Sequence, residues 1–343
     1  MLPCRSMLRP IGVATATLLL LAVATPASAA TRRKSRTTRP PAIPPVIVPA
    51  AASSWDLAVA DSARRSLGST AGAVVAMDPS SGRIITIVNP TYGLFNAYQP
   101  CSVFKVVVAI AGLTEGVVTP ETLYRCQKGC WSWPGHGPVD LRRALAVSCN
   151  PYFEWIGEQI GYERVQHYAK LLGLGEASGI NLTGETKGRL PAKVAPTAVG
   201  HLSSHAEGIT TSAVQLAVLL SAAINGGTVW QPQVGAALDF TPKARWRLPA
   251  EIRLEGLADG FLAAVNEGSA LPAFDPEVLV AGKTGSCSRL GWFASYGPAD
   301  KPQIVLVVFV RRGNGHTASA IAGRIYQELF KPQPSVPLTA AGG

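Results

Sequence analysis

From Trp55 onward, short apolar runs separated by turn residues lay out the elements of the chain. "AGAVVAMDPSSGRIITIV" (71–88) places two β-rich runs around Pro-Ser-Ser-Gly, which predicts a hairpin. A mostly apolar stretch, Ser102–Glu115, predicts a helix ended near Gly116. Leu141–Val147, Pro151–Gly161 and Glu163–Leu172 predict three shorter helices with Gly or Pro at their joints. Glycine-punctuated loops fill 174–210. "SAVQLAVLLSAAINGG" (212–227) then predicts a strongly apolar helix closed by Asn225-Gly226-Gly227. A weaker helix is expected at 257–266. Three strand-like runs follow, "VLVAGKTGS", "GWFASYG" and "QIVLVVFVRR", and a last helix at 316–330. Strands at both ends with helices between predict an α+β fold. One sheet is built from the two termini, and a helical subdomain is inserted in the middle. No internal repeat is visible.

With 343 residues, 47% of them hydrophobic, the chain can bury one large core or two modest ones. Its net charge of +10 is unevenly spread. Seven basic residues (Arg5, Arg9, Arg32, Arg33, Lys34, Arg36, Arg39) precede position 40, where no acid occurs, and the rest of the chain holds 24 basic against 21 acidic residues. The charge therefore describes a tail, and a nucleic-acid face on the folded part is not indicated. Residues 1–30 read as an export signal: a short basic region, the apolar "IGVATATLLLLAVAT", and Ala27-Ser28-Ala29 for cleavage. An uncleaved anchor is the alternative, because residues 10–31 carry no charge and could form a membrane tether. Either reading puts the bulk of the chain outside the cytoplasm. Residues 31–54, basic and rich in Pro and Ala, predict an extended linker. A single domain is expected at 55–332 and a flexible tail at 333–343.

Six cysteines suit that compartment. Cys126 and Cys130 in "CQKGC" flank a turn and form a candidate disulfide. A C-x-x-x-C zinc half-site competes with it, but no second ligand pair follows at suitable spacing. Cys101, Cys149 and Cys287 read as separate, small buried residues; Cys101 and Cys287 could pair only if both faced one cleft. His201 and His205 in "HLSSH" lack the glutamate of HExxH, so that pattern does not point to zinc. Trp131, Trp133 and His136 in "CWSWPGHG" suit the rim of a cleft.

Three short motifs carry chemistry. Ser102-x-x-Lys105 could be a helix cap with a solvated lysine, but apolar neighbours at 103, 104 and 106–111 leave no exposed face. One helical turn apart, a lysine kept neutral by burial can accept the serine's proton. Ser148-Cys149-Asn150 sits between two helices, with Pro151 suited to the first position of the second. Lys283-Thr284-Gly285-Ser286 follows one β-run and precedes another. There Gly285 would let a substrate backbone lie close, and Lys283 would supply positive charge. Each alone fits an ordinary cap or turn; all three in this order are harder to explain that way.

Together they resemble the motif set of the penicillin-binding transpeptidases and their relatives, the serine β-lactamases. The similarity covers about residues 70–330, including "HGPVDLRRALAVSCNPYFEWIGEQIGYERVQHYAKLLGLGEASGINLTGE" and "AGKTGSCSRLGWFASYGP". It implies an antiparallel sheet and acyl transfer through a serine ester. Ser102 would be the nucleophile and Lys105 its general base. Ser148 would relay a proton to the leaving amine, and Asn150 would bind the substrate amide. Lys283 would keep Lys105 neutral and attract a terminal carboxylate, with Thr284 and Ser286 binding that carboxylate. Backbone N–H groups of Ser102 and Ser286 would form the oxyanion hole, each preorganised donor being worth about 3–4 kcal/mol of barrier. No metal or organic cofactor enters this chemistry. Peptidoglycan stem peptides are the implied partners and β-lactams the covalent inhibitors.

Four departures from that pattern stand out: Cys101 where relatives carry glycine, Ser212-Ala213 for Thr-Pro, His201 for Gln, and Ser286 for threonine. Asn150 favours the penicillin-binding side over lactamases with valine there, and no E-x-x-L-N glutamate is present. D,D-transpeptidase is the expected activity, ahead of D,D-carboxypeptidase and then β-lactamase. A penicillin- or peptide-binding module that acylates without turnover is the alternative of a different class.

Overall fold

The computed structural model describes residues 44–127 and 130–331. The expected signal or anchor, much of the linker and the expected tail lie outside them. The folded part reaches back into the linker, because Val46–Ile47 (β1) pairs with the strand Arg83–Val88.

Ser53 starts α1 (Ser54–Leu67) with a capping box: its hydroxyl accepts the Asp56 N–H at 3.1 Å, and Asp56 accepts the Ser53 N–H at 2.9 Å. The predicted hairpin follows as β2 (Gly72–Met77) and β3 (Arg83–Val88). Next come α2 (Pro90–Gly93), a 3₁₀ turn at Cys101–Phe104 and α3 (Lys105–Thr114). The ribbon β4 (Tyr124–Cys126) and β5 (Gly137–Val139) precedes α4 (Leu141–Ala146). Then α5 spans Asn150–Leu171, broken at Gly161, whose φ of 75° leaves the helix where the sequence predicts a joint. Two more helices, α6 (Val199–His205) and α7 (Ala213–Ile224), lead into short strands β6 (Thr228–Trp230), β7 (Gln233–Val234) and β8 (Ala244–Arg247). The chain ends with α8 (Leu257–Glu267), β9 (Ala281–Cys287), β10 (Leu290–Gly297), β11 (Ile304–Arg311) and α9 (Gly315–Phe330).

The two ends of the fold meet in one sheet, ordered β1-β3-β2-β11-β10-β9, with antiparallel neighbours throughout; β7 adds to β3 in parallel. Both faces are covered, and the alternation of side chains sorts the strands into two cores. Val74, Ala76, Leu306 and Val308 pack on the side of α1 and α9. Val75, Met77, Val307 and Phe309 pack with α3, α5 and α7. This leaves β9 as the edge strand, facing the inserted helices across a cleft. Among the described residues no helix is long and apolar enough to cross a membrane.

One ion pair joins the layers: Arg83 Nη2 of β3 lies 2.9 Å from Asp56 Oδ1 of α1, and Asp56 is fully buried. Burial alone would raise the Asp56 pKa, but the hydrogen bonds from Arg83 and Ser53 hold it below its usual value. The stability it contributes is therefore present above the unfolded carboxylate value and lost as pH falls through the folded one. Arg83→Met strands a buried carboxylate and is expected to cost about 3–5 kcal/mol in chemical denaturation. A loss below about 1 kcal/mol would mean that Asp56 needs no partner.

Candidate active site

The turn carrying Ser102 is held from two sides. Cys101 adopts φ 52°, the left-handed region that costs an ordinary L-residue about 1–2 kcal/mol. That geometry suits the glycine of the resembling proteins; here a cysteine occupies it and is bonded to Cys287, Cα to Cα 5.7 Å apart across 186 residues. The pairing corrects the expectation for both cysteines. It arises because Gly285 and Cys287 share the face of β9 that meets the Ser102 turn, a contact across the fold that local spacing does not encode. Cys126 and Cys130, the expected bridge, are free thiols. A Cβ at Gly285 would lie 2.6 Å from the Pro100 carbonyl oxygen and 3.1 Å from Val103 Cγ2, so its empty side lets β9 close on the turn that carries Ser102.

Because the disulfide closes so long a loop, replacing both Cys101 and Cys287 with serine is expected to cost about 2–5 kcal/mol. Denaturant midpoints measured with and without dithiothreitol check this. The wild type should shift and the double variant should not; an unshifted wild type counts against the bridge.

Around this turn, α3, the α4–α5 joint and β9 bring three motifs together. Lys105 and Lys283 are both fully buried. Lys283 Nζ donates to Ser148 Oγ at 2.8 Å and to the Thr284 carbonyl at 3.0 Å. Lys105 Nζ lies 3.2 Å from the same hydroxyl, 2.8 Å from the Ser148 carbonyl and 2.6 Å from Asn150 Oδ1. Ser148 thus stands between two amines, aimed there by its own left-handed backbone (φ 55°). Two buried ammonium groups flanking one hydroxyl repel, so the pair holds fewer than two charges. Burial pushes Lys105 down to about 7. Burial, then the Lys105 charge, pushes Lys283 well below its usual value.

Ser102 opens on the same cleft, but its Oγ donates to the Ser204 carbonyl at 3.5 Å rather than to Lys105. Asn150 is clamped, since its Oδ1 faces Lys105 while its Nδ2 lies 3.4 Å from His205 Nε2. His205 in turn meets Ser204 Oγ, which donates to Glu154 at 2.8 Å. Burial, with the nearby His201 and Lys105, lowers the His205 pKa, leaving a neutral ring able to accept from Asn150. Glu154, His201 and His205 form one tight group, with the two rings stacked at 4.2 Å. On β9, Thr284 Oγ1 shares a 2.6 Å hydrogen bond with Ser269 Oγ, and Ser286 Oγ accepts the Gly315 N–H at 2.8 Å.

The cleft encloses about 690 Å³. Ser102, Ser148, Asn150, Thr284 and Ser286 line it, and Trp131 and His136 stand on its wall as expected, whereas Trp133 projects outward, 87% exposed. Beside Ser132, Val147, His205 and Gly268, the lining also holds Arg143, Glu267, Ser269, Asn314 and His316. Sequence reasoning missed these last five. Arg143 lies within α4, Glu267 ends α8 and Ser269 follows it, and Asn314 and His316 stand at the start of α9; none carries a motif, so no local signal marks it.

The penicillin binding protein transpeptidase domain model matches residues 72–331. Stage V sporulation protein D of Bacillus subtilis is 27% identical over 316 residues, covering 74% of this chain and 48% of that protein. Peptidoglycan D,D-transpeptidase MrdA of Haemophilus influenzae is 26% identical over 356 residues, covering 77% and 53%. The chain spans about half the length of these curated relatives. Among solved structures, a chain from a peptidoglycan synthase complex superposes with a TM-score of 0.69 at 25% identity, over 83% of this chain and 61% of that one. The apo transpeptidase domain of Burkholderia pseudomallei penicillin-binding protein 3 gives 0.70 at 20% identity, over 82% and 94%, a likeness of fold. The expected antiparallel sheet with flanking helices is the fold they share.

Proposed function

We propose, from the premise that the chain belongs to the penicillin binding protein transpeptidase domain family, that it is a D,D-transpeptidase acting on peptidoglycan stem peptides through a Ser102 acyl-enzyme. The observation that carries this is the Ser148 hydroxyl held between Lys105 and Lys283 at the wall of the cleft that Ser102 lines.

Rotation of Ser102 away from the Ser204 carbonyl brings its Oγ toward Lys105, which takes the proton in its neutral form as Oγ bonds to the carbonyl carbon of the penultimate D-Ala. The oxyanion is met by the backbone N–H groups of Ser102 and Ser286; β9 is an edge strand, so alternate N–H groups point away from β10. Collapse breaks the C–N bond, and the Lys105 proton reaches the leaving amine through Ser148. Asn150 Nδ2 keeps one hydrogen for the substrate amide. Lys283, Thr284 and Ser286 attract and bind the terminal carboxylate. An acceptor amine then attacks the ester, its proton returns along the same path, and Ser102 is restored. β-Lactams enter as cyclic acyl donors whose leaving group stays attached. The N-terminal segment, read as an export signal or tether, places this reaction on the outer side of the cytoplasmic membrane.

Fluorescent penicillin tests the reading. A stable adduct, with D-Ala release from a stem-peptide donor that increases when an acceptor amine is added, is the expected result. Adduct loss within seconds would make the chain a β-lactamase. Release indifferent to acceptor would make it a carboxypeptidase, and a stable adduct without D-Ala release a binding module.

A further inference from the structure

Behind the cleft wall, four side chains that the acyl-transfer chemistry does not use converge. Cys126 at the end of β4, Cys130 and His136 in the β4–β5 connection, and Cys149 at the start of α5 place their ligand atoms within 4.8 Å of one another. Cys126 and Cys149 are buried, Cys130 and His136 partly so. The two nearest sulfurs point at one nitrogen: Cys130 Sγ lies 3.2 Å and Cys126 Sγ 3.7 Å from His136 Nδ1.

We propose that Cys126, Cys130, His136 and Cys149 form a structural zinc site that braces the Ser148–Asn150 loop. Tetrahedral zinc, with Zn–S of about 2.3 Å and Zn–N of about 2.0 Å, sets its ligand atoms about 3.5–3.8 Å apart. The two sulfur-to-nitrogen spacings, 3.2 Å and 3.7 Å, lie close to that figure, and no ligand atom is more than 4.8 Å from another. Three sulfurs and one imidazole are the soft and borderline donors that zinc takes in closed structural sites, and no fourth position is left for water. Spacing within the chain rejects zinc here because only C-x-x-x-C is visible. The other two ligands arrive by folding, His136 by the return of β5 alongside β4 and Cys149 from the next helical joint.

The alternative fate of close thiols is a disulfide. This fold does form one, between Cys101 and Cys287, yet Cys126, Cys130 and Cys149 are unbridged although their sulfurs lie within 4.8 Å of one another. A metal accounts for the difference. Binding is a proton exchange without redox change: Zn²⁺ and three thiols with one neutral imidazole give a Zn(S⁻)₃(His) centre and three protons. Backbone geometry favours the site too, since a Cβ at Gly135 would collide with the Cys126 carbonyl.

The position gives the metal its purpose. Cys149 is the residue between Ser148 and Asn150, so a bond to its sulfur fixes the backbone that presents both. His136 packs against Trp131, whose Nε1 donates to the Val147 carbonyl at 3.1 Å, one residue before Ser148. The metal centre would therefore hold this wall of the cleft from two directions.

Zinc itself is the probe. Full-length protein purified without chelator is expected to carry about one zinc per chain by elemental analysis. Apo-protein titrated with Co²⁺ should develop thiolate-to-cobalt charge-transfer absorption and intense tetrahedral d–d bands. His136→Ala and Cys126→Ser, checked for folding by circular dichroism, should lose most of the zinc. Metal-free wild-type protein that gives no cobalt spectrum, or an intact mass showing a second disulfide among these cysteines, overturns the site. These readouts do not depend on activity. The functional consequence does rest on the proposed acyl transfer. Chelation should slow penicillin acylation by roughly tenfold or more, restored by zinc. Acylation unchanged between zinc-loaded and apo-protein would overturn the bracing role while leaving Ser102 as the nucleophile.

Discussion

Replacing Ser102 with alanine is expected to abolish the penicillin adduct and to lower D-Ala release by about ten-thousandfold or more. The size follows from the site. Ser102 is the only one of the three motif serines that opens a helix directly in front of a buried amine, and Ser148 cannot substitute because both lysines already hold its hydroxyl. The alanine variant keeps the Cys101–Cys287 bridge and the buried turn, so its thermal unfolding should match the wild type. Intact mass after incubation with penicillin reads the result. An adduct surviving in Ser102→Ala would move the nucleophile elsewhere and sink the proposed mechanism.

Lys105→Ala should slow acylation by about a thousandfold, the range of a lost general base. It should also change the pH profile. Burial disfavours the Lys105 ammonium and brings its pKa down to about 7. Below that value the amine is protonated and cannot accept the Ser102 proton; above it the amine is free. Wild-type acylation should therefore rise as pH increases through about 7 and then level. The alanine variant should lose this rise along with most of the rate. A wild-type rate constant flat across that range would show that Lys105 is not the base.

Much of the architecture was legible because it is local. The hairpin at 71–88, the helix breaks at Gly161 and Asn225, and the three C-terminal strands all follow apolar period and turn residues, and each lies within a few residues of its expected place. The helix expected from Ser102 differs in its first turn. Cys101–Phe104 is 3₁₀ and the α-helix begins at Lys105, because Cys101 leaves the preceding loop with positive φ and the chain needs a tighter turn to enter the helix.

The cysteines divide in the opposite way. Spacing in "CQKGC" points to a local bridge, and the fold instead joins Cys101 to Cys287. Gly285 shows the same limit. Its missing side chain is visible in the sequence, but the close approach of the Pro100 carbonyl depends on what β9 packs against.

By itself, the sequence determined which residue types stand at each motif and on which element: a serine and a lysine one turn apart, a serine and an asparagine at a helical joint, a lysine on a strand. Local period, capping and turn chemistry are enough for that. Only the tertiary structure decided which of these groups meet. The edge position of β9 brings Lys283 to Ser148, the crossing of β9 over the Ser102 turn pairs two distant cysteines, and the β4–β5 ribbon carries His136 to Cys149. Those encounters are set by packing between residues from 13 (His136 and Cys149) to 186 (Cys101 and Cys287) positions apart, and no local period, cap or turn records them.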